Sequence, residues 1–238
     1  MDKLDEIIKQ YDLDDCEKEY LINLIYPIYC HMEFQKRLTD EYLHHGDITL
    51  GEHILKDTIK TYFLCQRKNK KKNKVDTSLS IKISMLHDLY TSPWQNSDYK
   101  TKFFHRHGFR HPVEAAINAA YWFPAYFNDK DDARIIIDGI IHHMFPLPVS
   151  STKMDIKSLE IRNYDLFIKL DKSIQNEILD SIKRKSIKDI SITRSKYKEG
   201  RIMSRADKMM ALREIKDFSS AKSLITGTNK KIKKRGKI

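Results

Sequence analysis

Apolar residues recur every three or four positions along most of this chain, the spacing that gathers them on one face of a helix. Leu4, Ile7 and Ile8 open an amphipathic segment, and a longer one from Tyr20 to Phe34 runs through Leu21, Leu24, Ile25 and Ile28. From Gly51 to Leu64, the residues Ile54, Leu55, Thr58, Ile59, Tyr62 and Phe63 share one stripe, as a core-facing helix requires. Thr77 and Ser78 are N-cap residue types ahead of a helix whose Leu79, Ile83 and Leu86 lie on one face. Pro112 is of the type favoured at a first helical position, so VEAAINAAYWF should be helical with His111 at or near its N-cap. Asp131 and Asp132 introduce DARIIIDGIIHH, a run that ends near Pro146 and Pro148. The β-branched run from Ile135 to Ile137 competes as a strand, but it is embedded in that longer helical pattern and reads as helix. Residues 156–185 predict one or two further helices, and 201–218 another. No internal repeat or domain-scale linker interrupts the pattern. The expectation is an all-α protein with a single helical domain over residues 1–220 and a basic tail over 221–238.

Composition narrows this picture without changing it. The 238 residues are 40% hydrophobic and include only 7 Gly and 6 Pro, which disfavours disordered, collagen-like and turn-rich all-β chains. No stretch is apolar enough for a transmembrane helix, and the start lacks the basic-then-apolar pattern of a signal peptide. Cys16, Cys30 and Cys65 are scattered and odd in number, so they read as reduced thiols, and the expected location is cytoplasmic.

The formal net charge of +11 raises the question of a polyanionic partner. Its distribution weakens that idea. Residues 1–60 carry a net −7, and two short runs, 67–74 and 229–237, hold twelve of the positive charges. Such blocks repel internally and favour solvated loops or frayed ends. Neither contains an aromatic residue on which a base could stack. At most a weak, salt-sensitive contact to nucleic acid is expected from them.

Histidine is the more informative oddity. All ten lie between His31 and His143. Leu86-His87-Asp88-Leu89 sets an imidazole and a carboxylate side by side at the end of an apolar helix. A polar helix end would explain that dipeptide alone, but its company raises its significance. His53 lies on the preceding predicted helix, His111 starts the next strong one, and His142-His143 ends the one after. Asp207 lies in a later apolar helix between Met203 and Met210. Imidazoles and carboxylates without paired thiolates suit a harder divalent ion such as Mn, Fe, Mg, Co or Ni. Helical bundles build such sites from side chains projecting inward off several helices.

The order His53, His87-Asp88, Asp207, with the stretches HHGDITLGEH, MLHDLY, RHGFRHPVEAAINA, HHMFPL and RADKMMA, resembles the HD-domain metal-dependent phosphohydrolase superfamily, in an uncharacterised bacterial and archaeal branch. The resemblance covers about residues 40–215. It implies a helical bundle with one or two divalent ions that activate water against a phosphomonoester or phosphodiester, with nucleotides among the candidate substrates. His53, His87, Asp88 and Asp207 are implied as first-site ligands, with Asp88 bridging to a second site that takes His111 and His143. His142 is the weaker choice, because the family-like string begins at His143. Two departures stand out. Residues 149–200 form a longer, Lys- and Ser-rich insertion, expected to be helical, before the last motif, and the Pro-Lys stretch expected ahead of that motif is missing. Arg106, Arg110 and Lys208 are candidates to face a substrate phosphate, since guanidinium forks and ammonium groups suit phosphate oxygens. A solvated basic loop is the favoured alternative for the two arginines, and Lys208 could instead balance Asp207. The alternative function is a non-hydrolytic ligand-binding or sensory module on the same fold.

Overall fold

A computed structural model describes residues 2–44, 47–72, 74–91, 107–147, 149–150, 161–184, 186–187 and 190–225. The described residues form α1 (Lys3–Ile8), α2 (Asp15–Tyr29), α3 (Met32–Lys36), α4 (Leu50–Lys70), α5 (Thr77–Leu86), α6 (His107–Trp122), α7 (Lys130–Ile141), α8 (Ile161–Phe167), α9 (Lys172–Lys183) and α10 (Lys198–Ile225). The all-α expectation holds. Helices α4, α5, α7 and α10 pack on one another, α6 lies against α7, and α8 and α9 cover α6 and α7. One cluster of buried apolar residues runs from Leu4 on α1 to Met203 on α10, and Ile54, Ile59, Ile81, Ile83, Ile136 and Ile140 within it are fully buried.

Several helix starts differ from the sequence expectation, each for a local reason. The cap of α5 is Asp76 rather than Thr77 or Ser78, because its carboxylate accepts from Leu79 N at 2.9 Å. Asp129, not Asp131 or Asp132, caps α7 and accepts from the backbone N–H groups of both at 2.9 Å. Helix α6 begins at His107, so Pro112 lies inside it and His111 is not its cap. A proline so near a helix start forfeits a single intrahelical bond, and the burial of Val113, Ala115, Ala116, Ile117 and Ala119 on the same helix outweighs it. The Tyr20 to Phe34 segment is broken between α2 and α3, where His31 caps α3. The basic run at 67–74 is not wholly loop, because Arg67, Lys68 and Lys70 form the last turn of α4, where cations meet the negative end of the helix dipole.

The insertion carries helices α8 and α9, as expected, and also a small antiparallel sheet that the helical expectation lacked. Its strands β1 (Val149–Ser150), β2 (Ser186–Ile187) and β3 (Ile190–Ser191) are two residues each, in the order β1-β3-β2. Two residues are too few to display an alternating pattern. The tail at 229–237 lies outside the described residues.

Two features set where the helices meet. Arg37 is fully buried, its guanidinium lying 4.9 Å from the Tyr42 ring centroid and 5.1 Å from that of Trp122. It donates to Glu33 Oε2 at 2.8 Å and to the backbone carbonyl of Tyr90, so it anchors the chain just beyond His87-Asp88. At the crossing of α7 and α10, Gly139 faces Gly200, and a β-carbon on Gly200 would lie 2.6 Å from Gly139 Cα. That backbone-to-backbone approach draws the end of α7, with His143, towards the turn of α10 that carries Asp207. Replacing Gly200 by Ala should therefore cost about 1–3 kcal/mol through forced separation of the two helices. A thermal or denaturant melt that shows Gly200→Ala as stable as the parent protein would contradict this crossing.

Candidate metal centre

The site is assembled from the ends and inner faces of five helices. His53 and Asp57 sit one turn apart on the buried face of α4. His87 is the C-cap of α5, and Asp88 follows it. His111 comes from α6, His143 from just past the end of α7, and Asp207 and Glu214 from α10. All eight side chains are buried.

Two of the histidines are held by the same local device. His87 Nδ1 donates to Ser84 O at 2.7 Å, and His143 Nδ1 donates to Ile140 O at 2.7 Å. Each ring thus satisfies a helix-end carbonyl three residues back. With Nδ1 carrying the proton, Nε2 is left as the lone-pair nitrogen of a neutral ring. His53 is fixed in a comparable way, with Nδ1 at 3.0 Å from Glu214 Oε2. A carboxylate or carbonyl behind the ring is the usual partner of a metal-binding imidazole.

The inward atoms converge on the Asp88 carboxylate. Its Oδ2 is 3.5 Å from His87 Nε2, while its Oδ1 is 3.4 Å from His111 Nε2 and 3.5 Å from His143 Nε2. The two oxygens therefore serve two neighbouring groups. One trio is His53, His87 and Asp88, and the other is Asp88, His111 and His143, with ligand atoms in each trio all within 4.8 Å of one another. A third such group, His44, His53 and Glu214, shares His53, over which the half-buried His44 ring stacks at 4.0 Å between centroids. Asp207 lies beside the first trio, its Oδ1 3.5 Å from His53 Nε2.

These residues fit a divalent ion on an observation independent of their order in the chain. His53 Nε2, His87 Nε2 and Asp88 Oδ1 are buried and make no hydrogen bond to any described residue. An unsatisfied buried polar atom costs about 1–3 kcal/mol, and an ion would satisfy them: His53 Nε2 and His87 Nε2 belong to the first trio, and Asp88 Oδ1 faces the second. The negative ends of α5 and α7 add to the preference for a cation.

Electrostatics agree. Burial pushes His143 down to about 3, well clear of protonation at neutral pH and ready to ligate. Burial also favours neutral His53 and His87. For His53 the neighbouring Asp207 and Glu214 override it, and for His87 the charges of Asp88, Asp57 and Asp207 do. Both pKa values are raised in consequence, and the His53 contact holds Asp207 below the ordinary carboxylate range. Asp57, fully buried and 4.0 Å from His87 Nε2, is pushed up to about 7 by burial. An ion at this centre therefore competes with protons for His53 and His87, so its affinity should weaken as pH falls.

The remaining sequence candidates fall into place around this core. His142 points elsewhere: its Nδ1 lies 2.8 Å from Thr193 Oγ1 and its Nε2 3.2 Å from Ser181 Oγ, which ties the insertion to α7. Burial pushes it down to about 4. Lys208 borders the site, and its ammonium donates to His143 O at 2.7 Å, to Ser204 O at 3.0 Å and to Ser204 Oγ at 2.7 Å. Arg110 is buried one residue before His111, and Arg106 lies outside the described residues. Two contributors, Asp57 and Glu214, escaped the sequence reading. The signal was available: Asp57 stands four residues after His53 on the apolar stripe, and Glu214 seven residues after Asp207 on the same face of α10.

A cavity of about 410 Å³ opens against this cluster. Asp88, His111, His143 and Asp207 reach its wall, and Tyr90, Met144, Pro146, Leu147 and Ala211 supply an apolar flank.

Comparison with protein-family models, with curated proteins and with solved structures returns no match. The site consequently stands on its own geometry: an all-helical protein with buried His/Asp clusters able to hold metal.

Two outcomes test the centre. Elemental analysis should find transition metal in the purified protein. Asp88→Ala should lose it, while His142→Ala keeps it and melts earlier. Glu214→Gln, which weakens the support behind His53, should lower metal affinity by roughly 10–100-fold in a competitive chelator titration. Unchanged affinity would remove Glu214 from the centre.

Proposed function

We propose that this protein is a divalent-metal-dependent phosphohydrolase of the HD-domain kind, acting on a phosphomonoester or phosphodiester of a small molecule. The observation that carries the reading is the Asp88 carboxylate, whose two oxygens face His87 on one side and His111 with His143 on the other. That is the arrangement expected of a carboxylate shared by two ions. His53, His87, Asp88 and Asp207 would hold one, and Asp88, His111 and His143 the second.

Divalent ions at such a centre supply Lewis acidity towards a phosphoryl oxygen and lower the pKa of water. The chain's own residues do the rest. Backbone carbonyls fix His87 and His143 with their Nε2 atoms inward, so little reorganisation is needed when substrate arrives. Burial keeps the local dielectric low and strengthens every charge interaction with a phosphate. Lys208 at the cavity wall contributes positive field to offset charge on the phosphoryl oxygens, and Arg110, buried next to His111 in the chain, adds to it. The apolar flank of Tyr90, Met144, Pro146 and Leu147 suits the organic part of a substrate and excludes water from it.

The deciding experiment uses protein stripped with a chelator and reloaded with Mn, Fe, Co, Ni or Mg in turn, offered a panel of phosphomonoesters, phosphodiesters and nucleotides. Phosphate release should require an added ion and vanish in Asp88→Ala. Full-rate hydrolysis by the stripped protein would defeat the proposal. A ligand that raises the melting temperature yet is recovered unchanged would favour the non-hydrolytic binding module instead.

A further inference from the structure

A second concentration of charge sits on α10, in a place that shares no described wall residue with the cavity at the candidate metal centre. It is a groove of about 250 Å³ between the last turns of α4, the segment after β3 and the first two turns of α10. Five cationic side chains line it, Lys68, Arg194, Lys198, Arg201 and Arg205, and the buried Val75 and Ile202 complete the lining. No carboxylate belongs to that lining. Among the described residues, no carboxylate pairs with Lys68, Arg194, Arg201 or Arg205. The nearby Glu199 accepts a hydrogen bond from Asp76 N at 3.1 Å, and Lys198 Nζ lies 3.4 Å from Lys74 O.

Cations gathered from three separate segments into one concavity give it a positive potential that solvent screens only in part, and an anion entering it meets that potential. Three of the five are arginines, whose planar forks match phosphate oxygens two at a time. The start of α10 adds a positive helix terminus to the same place. Among the described residues no aromatic side chain lines the groove to stack on a nucleobase.

We propose that this groove is a binding site for a small oligophosphate, two or three linked phosphates, gripped mainly by Arg194, Arg201 and Arg205. The concave shape and small volume favour a compact ligand over an extended strand. The assignment does not depend on the metal-centre reading.

Isothermal titration of sodium tripolyphosphate into the full-length protein tests it directly. Saturable binding should weaken at least tenfold in Arg201→Ala/Arg205→Ala and, independently, in Arg194→Ala/Lys198→Ala; these partly or fully exposed side chains can be removed without opening the core. Binding should persist in Asp88→Asn, which disables the metal centre, so the two readings fail separately. Parental affinity in both double variants, or no saturable binding to the parent protein, overturns the proposal. Tighter binding of a short DNA duplex that depends on the same arginines also overturns it, and reassigns the groove to a nucleic-acid backbone.

Discussion

Everything at the candidate metal centre of this molecule follows from placing imidazoles and carboxylates where water hardly reaches them. Ionisable groups in an apolar interior are tolerated when each finds a partner. Here His53 Nε2, His87 Nε2 and Asp88 Oδ1 have charged neighbours but no hydrogen bond to a described residue, although the opposite ring nitrogens of both histidines are satisfied. The bundle sustains that cost because isoleucine-rich faces of α4, α5 and α7 surround it. The helices also had to arrive from several directions. No single helix can present more than two or three side chains to one point, so the centre draws on five.

The helical plan was largely readable from the chain, because period is a long-range signal repeated over many turns. Boundaries were less so. Asp76 and Asp129 won their caps over Thr77 and Asp131 by a difference of one or two residues, which periodicity does not resolve. Pro112 misled for a different reason. A proline preference describes isolated helix starts, and the buried alanine and valine face of α6 was strong enough to carry the helix through it.

For the site, residue type and order identified His53, His87, Asp88, His111 and His143, which the fold brings together through Asp88. Those residues are rare in apolar runs and therefore conspicuous. Asp57 and Glu214 were hidden in a chain with 33 acidic residues, where a carboxylate on a helix is ordinarily a solvated one. Only three-dimensional burial separates them from the rest. The resemblance favoured His143 over His142, as the fold has it, but the partners that His142 takes instead were beyond reach, since neighbouring residues just past a helix end point in divergent directions set by the turn.

That divergence ties two parts of the molecule together. His142 is bolted to Ser181 on α9 and to Thr193 beyond β3, while Asp138, one turn earlier on α7, takes Arg184, Ser195 and the backbone of Lys196. One peptide bond onward, His143 belongs to the centre. Ser181, Arg184, Thr193, Ser195 and Lys196 of the insertion are thus joined to the end of α7 within one peptide bond of a candidate metal ligand. A substitution at Ser181 or Thr193 therefore acts on the residue next to His143 as well as on the outer segment that carries it.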